Sequence, residues 1–98
     1  MKRRTFVRPE AQSDVREAAL WYESREAGLG IRFIGEVRTS LTHIANNPLR
    51  FPAVGDDVRR ALLNSFPYSV YFMIETDAMI IIAVLHQHRR PATWQSRR

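Results

Sequence analysis

The sequence predicts an α+β domain of two layers, a helical hairpin packed on a mainly antiparallel sheet, and three observations carry that reading. Residues 66–75 alternate: Tyr68, Val70, Phe72 and Ile74 fall on one side, Ser69, Tyr71, Met73 and Glu75 on the other, which is the period of a strand. Residues 79–85 are apolar on both faces and rich in Ile and Val, as a buried central strand is. Upstream, two helical stripes are separated by little more than Gly28-Leu29-Gly30. Helices so closely joined form an antiparallel pair, and their apolar faces need a sheet to cover them.

Taken in order, residues 3–8 alternate enough for a short strand, which Pro9 ends while suiting the first turn of a helix. From Glu10 to about Glu26, Ala11, Val15, Ala18 and Tyr22 make one helical face, thickened near its end by Trp21. Gly28 suits the left-handed conformation that closes a helix. A second stripe follows in Leu29, Phe33, Val37, Leu41 and Ile44, with Ile34 beside it and an Arg32–Glu36 pair at i, i+4. Asn46-Asn47-Pro48 stops it. Residues 49–57 read as loop, with Pro52 and Gly55 as breakers, and residues 58–63 as a strand. Thr76-Asp77 turns the central hairpin. Residues 91–98 show no periodicity, and Trp94 there reads as an anchor on the body. The order is β-α-α-β-β-β, with about four strands and the first beside the last. The expected core is Phe6, Val15, Ala18, Tyr22, Phe33, Val37, Leu41 and Ile44 against the hairpin.

Ninety-eight residues suit one domain able to bury a core without metal or disulfide, and the chain has no cysteine. Three histidines without metal-type spacing give no zinc motif, and no cofactor is indicated. No apolar run reaches the length of a membrane span, and the start is too short for a signal peptide, so a cytoplasmic protein is expected. The net charge of +5 is unevenly spread. Residues 58–98 hold six arginines against Glu75 and Asp77, a basic region suited to an anionic partner. Metal-free ribonuclease chemistry needs a base, an acid and a cation beside the phosphate. Arg59 or Arg60, His86, His88 and Arg89 are the residues of that type, and each also has a purely structural reading. His43 reads as a surface residue, and Glu75 and Asp77 as turn residues.

The ordered set of Trp21-Tyr22, Gly28-Leu29-Gly30 with Arg32-Phe33, Asn47-Pro48, Val58-Arg59-Arg60, Phe66-Pro67-Tyr68-Ser69-Val70-Tyr71-Phe72, and Leu85-His86 with Arg89 resembles the RelE/ParE toxins. These are the toxin halves of bacterial type II toxin–antitoxin, or plasmid stabilisation, modules. The resemblance implies that residues 1–98 form one RelE/ParE-like toxin domain, neutralised by a cognate antitoxin whose disordered segment folds onto it. It leaves two targets open, because RelE-like members cut messenger RNA on the ribosome and ParE-like members poison DNA gyrase. In the ribonuclease branch the hairpin strand typically reads Tyr-Arg-Leu-Val-Tyr and a catalytic Tyr often lies near the end. Here Ser69 stands at the Arg position and residues 91–98 hold no Tyr. The resemblance therefore points to the ParE-like branch, with Arg59, Arg60, His86, His88, Arg89, Arg90 and Trp94 as the surface for target or antitoxin. If the chain is a nuclease instead, Arg60, His86 and Arg89 are the catalytic candidates.

Overall fold

A computed structural model describes residues 4–89 and 91–98. Strand β1 (Arg4–Val7) leads through Pro9 into helix α1 (Pro9–Arg25), and α2 (Leu29–Asn46) returns beside it. A 3₁₀ turn at Pro48–Arg50 follows, then β2 (Ala53–Gly55), β3 (Val58–Leu62), β4 (Tyr68–Ile74), β5 (Ala78–His86) and the short helix α3 (Pro91–Gln95). The sheet order is β1-β5-β4-β3-β2, with β1 parallel to β5 and every other pair antiparallel. The fold is the expected α+β one, with the first strand beside the last; β4 is the middle strand, and β5 lies between it and the short β1.

The sheet has five strands rather than four. The added strand, β2, lies in the stretch read as loop, and its pairing is irregular between Ala53 and Gly55. A turn at Asp56 and Asp57, both at positive φ (48° and 67°), closes it onto β3. That is the backbone of the two-residue hairpin turn whose twist matches the flanking strands. Residues 91–98 also differ from the expectation, since five of them form α3.

The helical hairpin is sealed where its helices meet. Gly28 takes the left-handed conformation (φ 89°), and the Glu23 carboxylate accepts from the N–H groups of Gly28 (2.8 Å) and Gly30 (2.9 Å). These are two of the donors that a helix start leaves unpaired, and a negative group is favoured there. At Gly30 a Cβ would lie 2.5 Å from the Ala19 carbonyl oxygen, so the helices close onto bare backbone. The expected Arg32–Glu36 pair does not form; Glu36 Oε1 instead accepts the Ser65 N–H at 2.7 Å and ties α2 to the β3–β4 turn.

Between helices and sheet lie Ala11, Ala18, Phe33, Val37 and Ile44, against Ala61, Val70, Phe72, Met79, Ile81 and Val84. Phe33 sits at the middle, with Phe66 at 5.2 Å, Tyr68 at 5.0 Å and Tyr22 at 5.4 Å between ring centroids. Val15, Tyr22 and Leu41 are only half-buried at its rim. Phe6 is a correction: it is 58 % exposed, because β1 is an edge strand with no layer over that face. A second, smaller core covers the other side of the sheet: Val58, Tyr71, Ile82, Ala83 and Leu85 under Trp94 of α3.

Candidate functional site

The two cores define two faces, and the basic residues divide between them. Arg59 lies opposite Phe72 on the helix side and its Nη1 donates to the Phe51 carbonyl at 2.6 Å. Arg60 lies opposite Tyr71 on the α3 side, half-buried, with Nε buried and without a partner among the described residues.

β5 adds a twist of register. Tyr71 pairs with Ala83 but Phe72 with Ile81, so Ile82 is the extra residue of a β-bulge. Ile82 and Ala83 consequently face the same way, into the α3-side core, and Val84 and His86 turn to the helix side. His86 ends opposite Tyr68, ring centroids 5.4 Å apart at 75°. Its Nδ1 accepts the His88 N–H at 3.1 Å, its carbonyl accepts the Arg89 N–H at 2.9 Å, and the His88 ring lies 5.2 Å away. His86 thus organises the loop after β5, the structural role open to it alongside the chemical one.

His86 and Arg89 share a cleft of about 210 Å³ with Tyr68, Trp21, Asp14 and Glu17. Burial pushes the Tyr68 hydroxyl above the usual tyrosine value, Arg89 pulls it down, and Asp14 adds to the rise. Burial likewise raises Tyr22, with Tyr68 contributing. Two carboxylates among the lining groups make this a cleft of mixed charge. Trp21, expected to thicken the core, is 52 % exposed and carries the Arg25 guanidinium 4.5 Å over its ring. The α1 residues of the cleft were readable in principle: Asp14, Ala18 and Trp21 share one face at i, i+4 and i+7.

The opposite face is closed differently. Trp94, 5 % exposed, stacks on Tyr71 at 5.6 Å and 17°. The anchoring role expected of it is the one it has. Ser69 is 1 % exposed between Leu62 and Leu85 in register, and its Oγ has no hydrogen-bond partner among the described residues. Of the residues singled out in the sequence, the structure therefore gathers His86, His88 and Arg89 on the helix side, and Arg60, Ser69 and Trp94 on the other. Arg90 and Arg3 lie outside the described residues. Among the described residues no group of His, Asp or Glu is placed to hold a metal ion. None of the described helices is long and apolar enough to cross a membrane.

A family model described as the ParE toxin of type II toxin–antitoxin system, parDE, matches residues 6–91. Among solved structures, a chain of a chromosomal ParDE toxin–antitoxin system from P. aeruginosa superposes with a TM-score of 0.75 at 13 % identity, covering 87 % of this chain and 96 % of that one. A double arginine-to-alanine mutant of the E. coli toxin RelE in the free state gives 0.69 at 14 % identity, covering 99 % and 94 %. At such identities the likeness is one of fold. No curated protein matches the chain.

Proposed function

Because the chain belongs to the ParE toxin family of type II toxin–antitoxin systems, we propose that it is a growth-inhibiting toxin, one domain over residues 1–98. On this reading it binds and poisons DNA gyrase and is neutralised by a cognate antitoxin encoded beside it. The observation that carries the choice of gyrase over messenger RNA is the division of the basic residues. Metal-free RNA cleavage needs base, acid and cation within reach of one phosphate. Arg60 projects from the α3 side of the sheet, whereas His86 and Arg89 occupy a cleft on the helix side that also holds Asp14 and Glu17. Glu17 opposes a phosphate at that spot, while the charge of Asp14 is met by Arg97. At the position where the ribonuclease branch carries Arg, Ser69 is buried. A hydroxyl donates one hydrogen bond and neutralises no charge.

A binding toxin needs surface rather than convergent catalytic groups. Arg89, next to the exposed His88, and the half-exposed Trp21 beside Arg25 offer arginine and tryptophan, side chains enriched at the energetic centres of protein interfaces. The test is made in cells. Tightly controlled expression of the chain should arrest growth, with DNA synthesis falling before protein synthesis, and co-expression of the adjacent reading frame should restore growth. Protein synthesis falling first would favour the ribosome-dependent nuclease. Harmless expression would favour a degenerate, non-toxic binding domain.

A further inference from the structure

Strand β5 is longer than its parallel neighbour. β1 pairs with it only from Ala78 to Ile81, and the Arg8 N–H to the Ile81 carbonyl (3.0 Å) is the last bond of that side. From Ile82 to His86 no described strand lies there. The Gln87 N–H bonds the Pro67 carbonyl at 2.8 Å, which sets the phase of the β4–β5 ladder. By alternation, Leu85 and Ala83 bond toward β4 and the Val84 N–H points to the open side. The bulge removes the Ile82 carbonyl from the ladder as well. A stretch of strand with such groups unpaired is a template for another strand.

Two side chains occupy them. Asp14 Oδ2 accepts the Val84 N–H at 3.0 Å, and Arg97 Nη1 donates to the Ile82 carbonyl at 3.3 Å. The two also hold each other, Nη1 to Oδ2 at 2.5 Å and Nη2 to Oδ1 at 3.2 Å. Arg8 donates to the main-chain carbonyl of Arg97. Trp94, three residues before Arg97, is stacked on Tyr71, so this segment is fastened to the α3-side face and to the edge of β5 together.

We propose that Asp14 and Arg97 form an edge guard. One carboxylate and one guanidinium stand in for the acceptor and donor of a strand residue, and residues 91–98 are the strap that holds them there. The guard keeps the open edge of β5 from pairing with the same edge of a second copy. That occupant follows from the geometry, since two identical free edges are self-complementary about a two-fold axis.

The experiment compares residue-resolved amide exchange and sedimentation of the full chain with Asp14→Ala, Asp14→Asn and Arg97→Ala. In Asp14→Ala the Val84 amide should exchange about tenfold faster, while Ala83 and Leu85, bonded to β4, keep their protection. The variant should also associate into dimers as concentration rises. Asp14→Asn, which retains an acceptor for Val84, should behave as the parent chain. Arg97→Ala leaves the Asp14 contact in place; it should show a smaller rise at Val84 and the same tendency to dimerise, and it decides the matter if Asp14→Ala does not fold. Unchanged exchange at Val84, an equal rise along all of β5, or variants that stay monomeric would each overturn the edge guard.

Discussion

Glu23 shows how much one exposed side chain can organise. Its carboxylate accepts two N–H groups at the start of α2, and these bonds lower its pKa against a small opposing effect of burial. A group depressed in the folded state contributes stability that is complete above its unfolded value, about 4.3 for Glu, and is lost as pH falls through the folded value. Glu23→Gln should therefore lower the Tm at neutral pH, and the gap to the parent should narrow in acid; a gap constant with pH would contradict this. Gly30 is the neighbouring constraint. The Cβ of Gly30→Ala meets the Ala19 carbonyl oxygen at 2.5 Å, backbone that cannot step aside, and overpacking of this kind costs about 1–3 kcal/mol. Denaturant unfolding of the variant measures it. Neither role can be read from the sequence, where Glu23 is one acid among ten and Gly30 one of two glycines in a turn. Ser69 is the opposite case: its residue type alone departs from the Arg expected in the ribonuclease pattern, and the structure adds that the hydroxyl is buried and without a partner among the described residues.

Elements with strong periodicity were legible, and so were the short strands β1 and β3; β2 and α3 were not. The two helices and the β4–β5 hairpin follow from stripes and alternation long enough to survive a few exceptions. β2 has three residues beside Pro52 and ends in glycine, and only the positive φ of Asp56 and Asp57 closes it onto β3. Asp57→Gly should therefore relax that turn and stabilise the chain by a few tenths to about 1 kcal/mol, read as a higher Tm. α3 was hidden because five residues show no period, although Trp94 gave its location away. Trp94→Ala should remove the lid of the α3-side core at a cost of about 3–5 kcal/mol, and Trp94→Phe much less, both by denaturant unfolding. The candidate site was half legible for the same reason. Alternation alone separates Arg59 from Arg60. The bulge at Ile82, which sends His86 to the helix side, leaves no mark in a run of Ile, Ala, Val and Leu. Strict alternation from Met79 would have placed His86 on the other face.

For the whole molecule, a five-stranded sheet covered on both sides separates its cationic groups instead of collecting them. The helices take one face with the His86–Arg89 cleft, and α3 with Trp94 takes the face of Arg60, Tyr71 and Ser69. On the function proposed above, such a chain acts by presenting surface to a protein target, and the antitoxin is expected to compete for that surface. If so, Arg89→Ala should weaken growth inhibition through binding while leaving stability nearly unchanged, since Arg89 is exposed. The most direct measurement uses the purified chain in two assays: supercoiling and cleavage-complex formation by DNA gyrase, and messenger RNA cleavage on programmed ribosomes. Loss of supercoiling with accumulation of gyrase-cleaved DNA, and intact messenger RNA, is the expected result. Messenger RNA cut on the ribosome, with cutting abolished by His86→Ala or Arg89→Ala and gyrase untouched, would contradict it.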